Sequence, residues 1–296
     1  MNPTAPDYLR LHFVVILFGF TGILGKLISI PAVEMVFYRT LLAAAGMAVL
    51  FLWTRRRFIL PKRDALILLL TGCIVGLHWL TFFVSGRIAN VSVSLVGFAT
   101  ASFWTAFLEP LMNRTRIKAV EVILGLFVLT GLVVIFSSDF EYSVGLFIAI
   151  LSGLTCAVFT IINARLVKRL DPSTITLYEM IGAMLTIALF FPLYRQTWAP
   201  GNQLHLMPQP LDWVWMLLLA WLCTVYAYTA AVRLFRTLSV FQFQLTLNLE
   251  PVYGIVLALI VFGDDERMNL HFYTGTFLIL CTVFAYPLIR KWLQPT

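Results

Sequence analysis

Charged residues are scarce in this chain: Asp, Glu, Lys and Arg make up 12% of its 296 residues, about half their share in an ordinary soluble domain. So thin a supply cannot coat a water-facing surface, and the two soluble domains that the length alone would allow are excluded. Signatures of hydrolytic and nucleotide chemistry are missing as well. There is no GxxxxGK(S/T) loop, no HExxH, no G-x-S-x-G and no polar stretch long enough for an ATPase domain. An enzyme is therefore not expected, and energy for any work must come from gradients. The four cysteines, Cys73, Cys156, Cys223 and Cys281, lie inside apolar runs, without a CxxC pair or a histidine at ligand spacing. Neither a disulfide nor a metal site is expected, and no cofactor. The net charge is +7, yet the basic residues fall in short clusters between apolar runs rather than along one face, which argues against a nucleic-acid partner. A small-residue cleavage pattern is wanting after the apolar run Leu11 to Leu24, so this first segment is expected to stay as a helix.

What the chain has in abundance is apolar sequence, 60% of all residues, and lipid is the expected solvent. Stretches of about 20 apolar residues, the length that crosses a hydrocarbon layer of roughly 30 Å, occur ten times: near 11–29, 33–53, 65–84, 91–112, 119–137, 144–164, 173–193, 213–232, 240–262 and 271–289. A membrane β-barrel would need strands of about 10 residues that alternate apolar with polar, and runs such as Leu66 to Leu70 do not alternate. The fold class expected is all-α, an integral membrane protein of ten transmembrane helices.

Charge placement orients the helices. With the N-terminus in the cytoplasm, one side collects Arg10, Arg55, Arg56, Arg57, Lys62, Arg63, Arg114, Arg116, Lys118, Arg165, Lys168, Arg169, Arg233, Arg236, Arg290 and Lys291. The other side receives Lys26, Arg87, Arg195 and Arg267, with the acidic turns Asp139 to Glu141 and Asp264 to Glu266. Sixteen basic residues against four is a strong positive-inside bias, so both termini are expected in the cytoplasm of a multi-pass cell-membrane protein, the inner membrane if the source is bacterial.

The chain also repeats itself. Phe37-Tyr38-Arg39 matches Leu177-Tyr178-Glu179 at a shift of 140, Asp64, Leu69 and His78 match Asp212, Leu217 and Tyr226 at 148, and Gly125 meets Gly275 at 150. The loop Thr197 to Pro210 is longer than its counterpart and accounts for the change of offset. Five helices per copy is an odd number, so the second copy enters the membrane from the other side: repeats 1–140 and 141–296 are expected to be inverted.

Phe18-Gly19 followed by Lys26, Phe37-Tyr38-Arg39, and Leu249-Glu250-Pro251 followed by Gly263-Asp264 together resemble the drug/metabolite transporter superfamily, EamA type, over nearly the whole chain. Phe18 stands where the family often has tryptophan, and Ser102-Phe103 where a proline commonly sits, with Glu109-Pro110 following. The resemblance implies ten helices in two inverted repeats, and export or exchange of amino acids or other small metabolites without ATP hydrolysis.

Polar groups inside spans are costly and tend to face a cavity, so they are the candidate site. His78, mid-span, is a proton sensor or relay, or else a histidine satisfied by a neighbouring carbonyl; its repeat mate Tyr226 offers only a hydrogen bond. Gln244 and Asn248 share a helix face at i,i+4 and either line a cavity or glue helices together. Glu250 needs a partner or a proton, which makes it the natural coupling group if a proton gradient is used, and Pro251 after it frees a carbonyl near Leu247 and marks a hinge. Arg39 and Glu179 are either charge-coupling groups or a fixed ion pair. Lys26 is a further charge candidate or a snorkelling lysine. Trp79 and Trp104 lie deeper than interfacial tryptophans and, with Tyr226, are the aromatics expected to wall a cavity. Gly72 and Gly76 form a small-xxx-small seat for a close helix contact. The function expected is a secondary transporter of small polar metabolites, most readily amino acids, working by alternating access and with proton coupling as an option. The alternatives are a gradient-independent facilitator or channel, and an intramembrane lipid-modifying enzyme. Partners expected are the solute and the bilayer, with the chain acting as a monomer.

Overall fold

A computed structural model describes residues 3–55, 59–136, 141–263 and 268–293. Every regular element among them is helical: α1 (Ala5–Leu27), α2 (Ala32–Trp53), α3 (Lys62–Ile88), α4 (Val91–Phe98), α5 (Ala101–Asn113), α6 (Ala119–Phe136), α7 (Ser143–Leu166), α8 (Pro172–Thr197), α9 (Pro210–Leu217), a π-helical stretch Leu218–Tyr226, α10 (Ala227–Leu234), α11 (Val240–Leu247), α12 (Glu250–Phe262) and α13 (Leu270–Leu293), with a single 3-10 turn at Pro200–Asn202. Local sequence sets the starts. Asn90 caps α4 by accepting from Val93 N at 2.8 Å, Asp171 caps α8 ahead of Pro172 in the first turn, and Ser239 caps α11, each satisfying an orphan N–H.

Among the described residues eight helical units are long and apolar enough to cross a membrane: α1, α2, α3, α4 with α5, α7, α8, α9 through α10, and α11 with α12. The described apolar stretches of α6 and α13, Ala119–Gly131 and Leu270–Tyr286, are shorter, and these two helices pack on each other. The chain is a multi-pass membrane protein, and side chains such as Leu126, Phe127, Ile260 and Phe277 form its exposed apolar exterior. Arg56, Arg57, Asp139, Asp264, Asp265, Glu266 and Arg267, together with the side chains of Arg290 and Lys291, lie outside the described residues.

Helices of the first half pack chiefly on helices of the second: α3 lies against α7 and α8, α2 against α8, α1 against α12, and α4 and α5 against α7. Glycine makes the closest crossing possible. A Cβ at Gly72 would fall 2.4 Å from the Glu179 carbonyl oxygen, and one at Gly182 would fall 2.2 Å from that of Leu69, so the backbones of α3 and α8 touch where only hydrogen fits.

Two spans are broken at matching places. α4 ends and α5 begins across Ala99 and Thr100; α11 ends and α12 begins across Asn248 and Leu249. In the second half Pro251 opens the new helix. The first half has Ser102 there instead, and hydroxyls hold the freed carbonyls: Thr100 Oγ1 donates to Gly97 O at 2.8 Å and Ser102 Oγ to Ala99 O at 3.1 Å.

The sequence repeat returns as repeated contacts. Asp64, at the start of α3, accepts from Arg169 at 2.6 Å. Its mate Asp212, at the start of α9, accepts from Ser29 N at 2.8 Å and Ser29 Oγ at 2.5 Å. Ser29 and Arg169 are themselves 140 residues apart, so each aspartate reaches across to the corresponding loop of the other half. Arginines follow the same rule: Arg87, at the end of α3, donates to carbonyls of Gly25, Ile28 and Ile30, and Arg236, after α10, to those of Val167 and Leu170. Asp64 and Arg87 stand at opposite ends of α3, whose 27 residues extend about 40 Å at 1.5 Å per residue. The α7–α8 loop is thus clasped at one end of the molecule and the α1–α2 loop at the other.

Candidate functional site

Between the halves lies a cavity with about 60 Å³ of free volume, lined from α1, α2, α3, α4, α7, α10, α11 and α12. Its wall is aromatic: Phe18, Trp79, Phe82, Phe98, Phe159, Phe235 and Phe243. Set into that wall are the polar side chains of Thr21, Arg39, His78, Thr160, Asn163, Tyr228 and Glu250. At roughly 30 Å³ per water, the space suits a few water molecules in this conformation.

Arg39 is the largest of the fully buried side chains. The guanidinium carbon stacks 3.9 Å from the Trp79 ring centroid and 5.6 Å from that of Phe83, and Nε donates to Thr224 Oγ1 at 2.8 Å. A planar, weakly hydrated cation is suited to such a slot between rings. Glu250 enters from the opposite half, 3% exposed, in the first turn of α12, where the N-terminal end of the helix favours a negative group. It lines the same cavity as Arg39.

His78 is fixed by α7. Its Nδ1 lies 3.0 Å from Ser152 O, and Ser152 Oγ donates to His78 O at 3.0 Å. Ser152 Oγ also lies 2.8 Å from Nδ1, so the carbonyl and the hydroxyl of Ser152 together offer that nitrogen an acceptor and a donor. Ser152 thus supplies the neighbouring carbonyl of the simpler reading, and His78 lines the cavity as well.

Of the other candidates, Trp79 lines the cavity and Gln244 and Asn248 lie just behind it. Gln244 donates to Thr160 Oγ1 at 2.9 Å. Asn248 donates to Ser102 Oγ at 3.1 Å, which ties the two broken spans together at their breaks. Pro251 is buried in the first turn of α12. Glu179 is fully buried one layer back, accepting from Tyr228 OH at 2.8 Å and Asn163 Nδ2 at 3.2 Å rather than from Arg39. Three candidates stand elsewhere. Tyr226 is 51% exposed and meets Phe13 edge-on at 6.0 Å. Trp104 packs edge-on against Phe103, with 5.2 Å between ring centroids, outside the lining. Lys26 lies with its Nζ 4.3 Å from the Phe262 ring centroid, in a smaller recess with Arg87. Thr21, Thr160, Asn163 and the ring of phenylalanines were not singled out by sequence reasoning, because single uncharged hydroxyls and amides recur in many spans and phenylalanine is common throughout.

The sequence profile of the EamA-like transporter family matches residues 8–137 and again 143–286. None of the curated proteins matches the chain. A crystal structure described only as that of a protein is 14% identical, with a TM-score of 0.70 over 99% of this chain and 100% of the other, a likeness of fold.

Proposed function

Because the chain belongs to the EamA-like transporter family, we propose that it carries zwitterionic amino acids or closely related metabolites across the cell membrane as a secondary transporter. The observation behind this reading is the cavity itself: Arg39 from one half and Glu250 from the other face a common space walled by aromatic rings. A guanidinium is suited to a substrate carboxylate, Glu250 to its ammonium, and the rings to an apolar remainder. His78 and Asn163 add hydrogen-bonding capacity.

In this proposal α6 and α13 complete ten spans, the repeats 1–140 and 141–296 are inverted, and both termini lie in the cytoplasm. The monomer is the working unit, with no cofactor. The cavity is far below the roughly 300 Å³ at which ligand pockets begin, so a substrate enters only when the halves part. The clasps at Asp64 and Asp212 then open in turn, one at each end, as the repeats rock. A small space between two halves, each of which clasps a loop of the other, supports a carrier over an open pore.

Counterflow of radiolabelled amino acids in proteoliposomes tests the reading. Saturable exchange is expected, falling about 10-fold or more in Glu250→Gln and several-fold in His78→Ala, since each removes a polar contact in the cavity. Absence of exchange across amino acids and related metabolites would overturn it.

A further inference from the structure

At the cavity wall, Asn163 of α7 and Tyr228 of α10 form a closed triangle with Glu179 of α8, which lies one layer behind them. Asn163 Nδ2 donates to Glu179 Oε2 at 3.2 Å and to the Tyr228 hydroxyl at 3.0 Å, and that hydroxyl donates to Glu179 Oε2 at 2.8 Å. Every N–H and O–H of the group is then in use. Two acceptors remain, Glu179 Oε1 and Asn163 Oδ1, both buried and without a partner.

No positive charge compensates them. On the helices packed against α8, the nearby charged and titratable groups are committed elsewhere: Arg39 of α2 to Thr224 and the Trp79 ring, and His78 of α3 to Ser152. α3 brings only the backbone at Gly72 against Glu179, α10 brings Tyr228 and α7 brings Asn163. Among the described residues no Lys, Arg or His lies within ion-pair distance of Glu179. What the cluster lacks is one donor, and a carboxylic acid has one.

We propose that Glu179 is the seat of the coupling proton, held as a neutral acid behind the cavity and exchanged with it through Tyr228. The proposal rests on the transporter reading and deepens it, because it separates the two carboxyls at the cavity: Glu250, lining it with Arg39, meets the substrate, while Glu179, one layer back, carries the ion. Release starts with the acid's proton on Oε2 and the Tyr228 hydroxyl turned toward the cavity: the O–H bond of the acid breaks, its electron pair stays on the carboxylate, the Tyr228 oxygen takes that proton, and the hydroxyl gives its own proton to water in the cavity; loading reverses each step. The charge left on Glu179 is stabilised by the donors of Tyr228 and Asn163, so both states are accommodated without a metal ion.

Infrared difference spectroscopy on the purified protein reads the proton directly. A protonated-carboxyl C=O band is expected in the unmodified chain and in Glu250→Gln, and is lost in Glu179→Gln. An ionised Glu179, bridged by water, would leave the carboxyl bands of Glu179→Gln identical to those of the unmodified chain, and that identity would overturn the proposal. The same variant in proteoliposomes keeps counterflow within about twofold, since glutamine supplies the missing donor permanently, but loses acceleration by an imposed pH gradient. A Glu179→Gln protein that still follows the gradient refutes it. The infrared result needs no substrate, so failure of the amino-acid reading leaves it intact and distinguishable.

Discussion

Positions 39 and 179 are the same place in the two halves of the chain, 140 residues apart, and they carry opposite charges in opposite company. Arg39 is stacked on Trp79 at the cavity and hydrogen-bonded to Thr224. Glu179 is shut behind the wall, held by Tyr228 and Asn163, which line the cavity. Both take a hydroxyl from the same membrane span, Pro210–Leu234, Arg39 donating to one and Glu179 accepting from the other. The repeat therefore duplicated a backbone site, and side-chain chemistry then divided it: one copy presents charge to the cavity, the other withholds it. Neutralising each copy in turn breaks or upholds this division. Arg39→Gln removes the cation that Glu250 faces along with the stacked guanidinium, and counterflow is expected to fall about 100-fold, near 2.7 kcal/mol in transition-state terms. Glu179→Gln leaves counterflow standing. Equal losses from the two, measured in proteoliposomes with folding checked by thermal unfolding in detergent, would show that the two sites perform one task.

Much of this was legible in the sequence. The apolar runs gave the helices, the offsets of 140 and 148 anticipated the paired clasps, and the cost of polar groups in lipid pointed to Arg39, His78 and Glu250. Gly72 and Gly76 announced a close contact, and the structure seats them on α8. What the sequence hid was rotational register. Matching His78 with Tyr226 put that phenol in the cavity, yet the helix runs through a π-helical stretch, Leu218–Tyr226, where Thr224 Oγ1 reaches back five residues to Leu219 O. Wider π turns rotate the following face, so Tyr226 turns out and Tyr228 turns in. Asn163 was passed over because it precedes Arg165 near a span end, where amides ordinarily meet water. Trp104 was chosen by depth and Lys26 by its place in the family pattern, and neither says which way a side chain points.

That register difference is itself open to test. Tyr228→Phe removes the hydroxyl that joins Glu179 to Asn163, and net transport is expected to fall about 10-fold, the effect of losing one hydrogen bond to a buried charged or acidic group. Tyr226→Phe, two residues away, is expected to change transport less than twofold, as exposed sites outside a network usually do. Reversed sensitivities would mean that the span is wound as an ordinary α-helix in the working protein.

The two clasps offer the finest comparison, because they are repeat mates of unequal strength. Asp212 accepts three bonds, two from Ser29 and one from Gln209 N at 3.0 Å, and is 3% exposed. Asp64 accepts from Arg169, whose side chain is 50% exposed, and a pair so open to water is worth about 0–1 kcal/mol. The end at Asp64 is therefore the one that opens more readily. Loss of the Asp212 bonds, on the order of 1–2 kcal/mol, is expected to raise opening at the α1–α2 end by about 5- to 30-fold. Asp64→Ala is expected to shift the opposite end by less than about 5-fold. Labelling rates of single cysteines placed in the α1–α2 and α7–α8 loops, measured with an impermeant thiol reagent, read each end separately. If both variants raised labelling at the same end, the clasps would not be alternating gates, and the pseudo-symmetry of Asp64 and Asp212 would be a matter of folding alone.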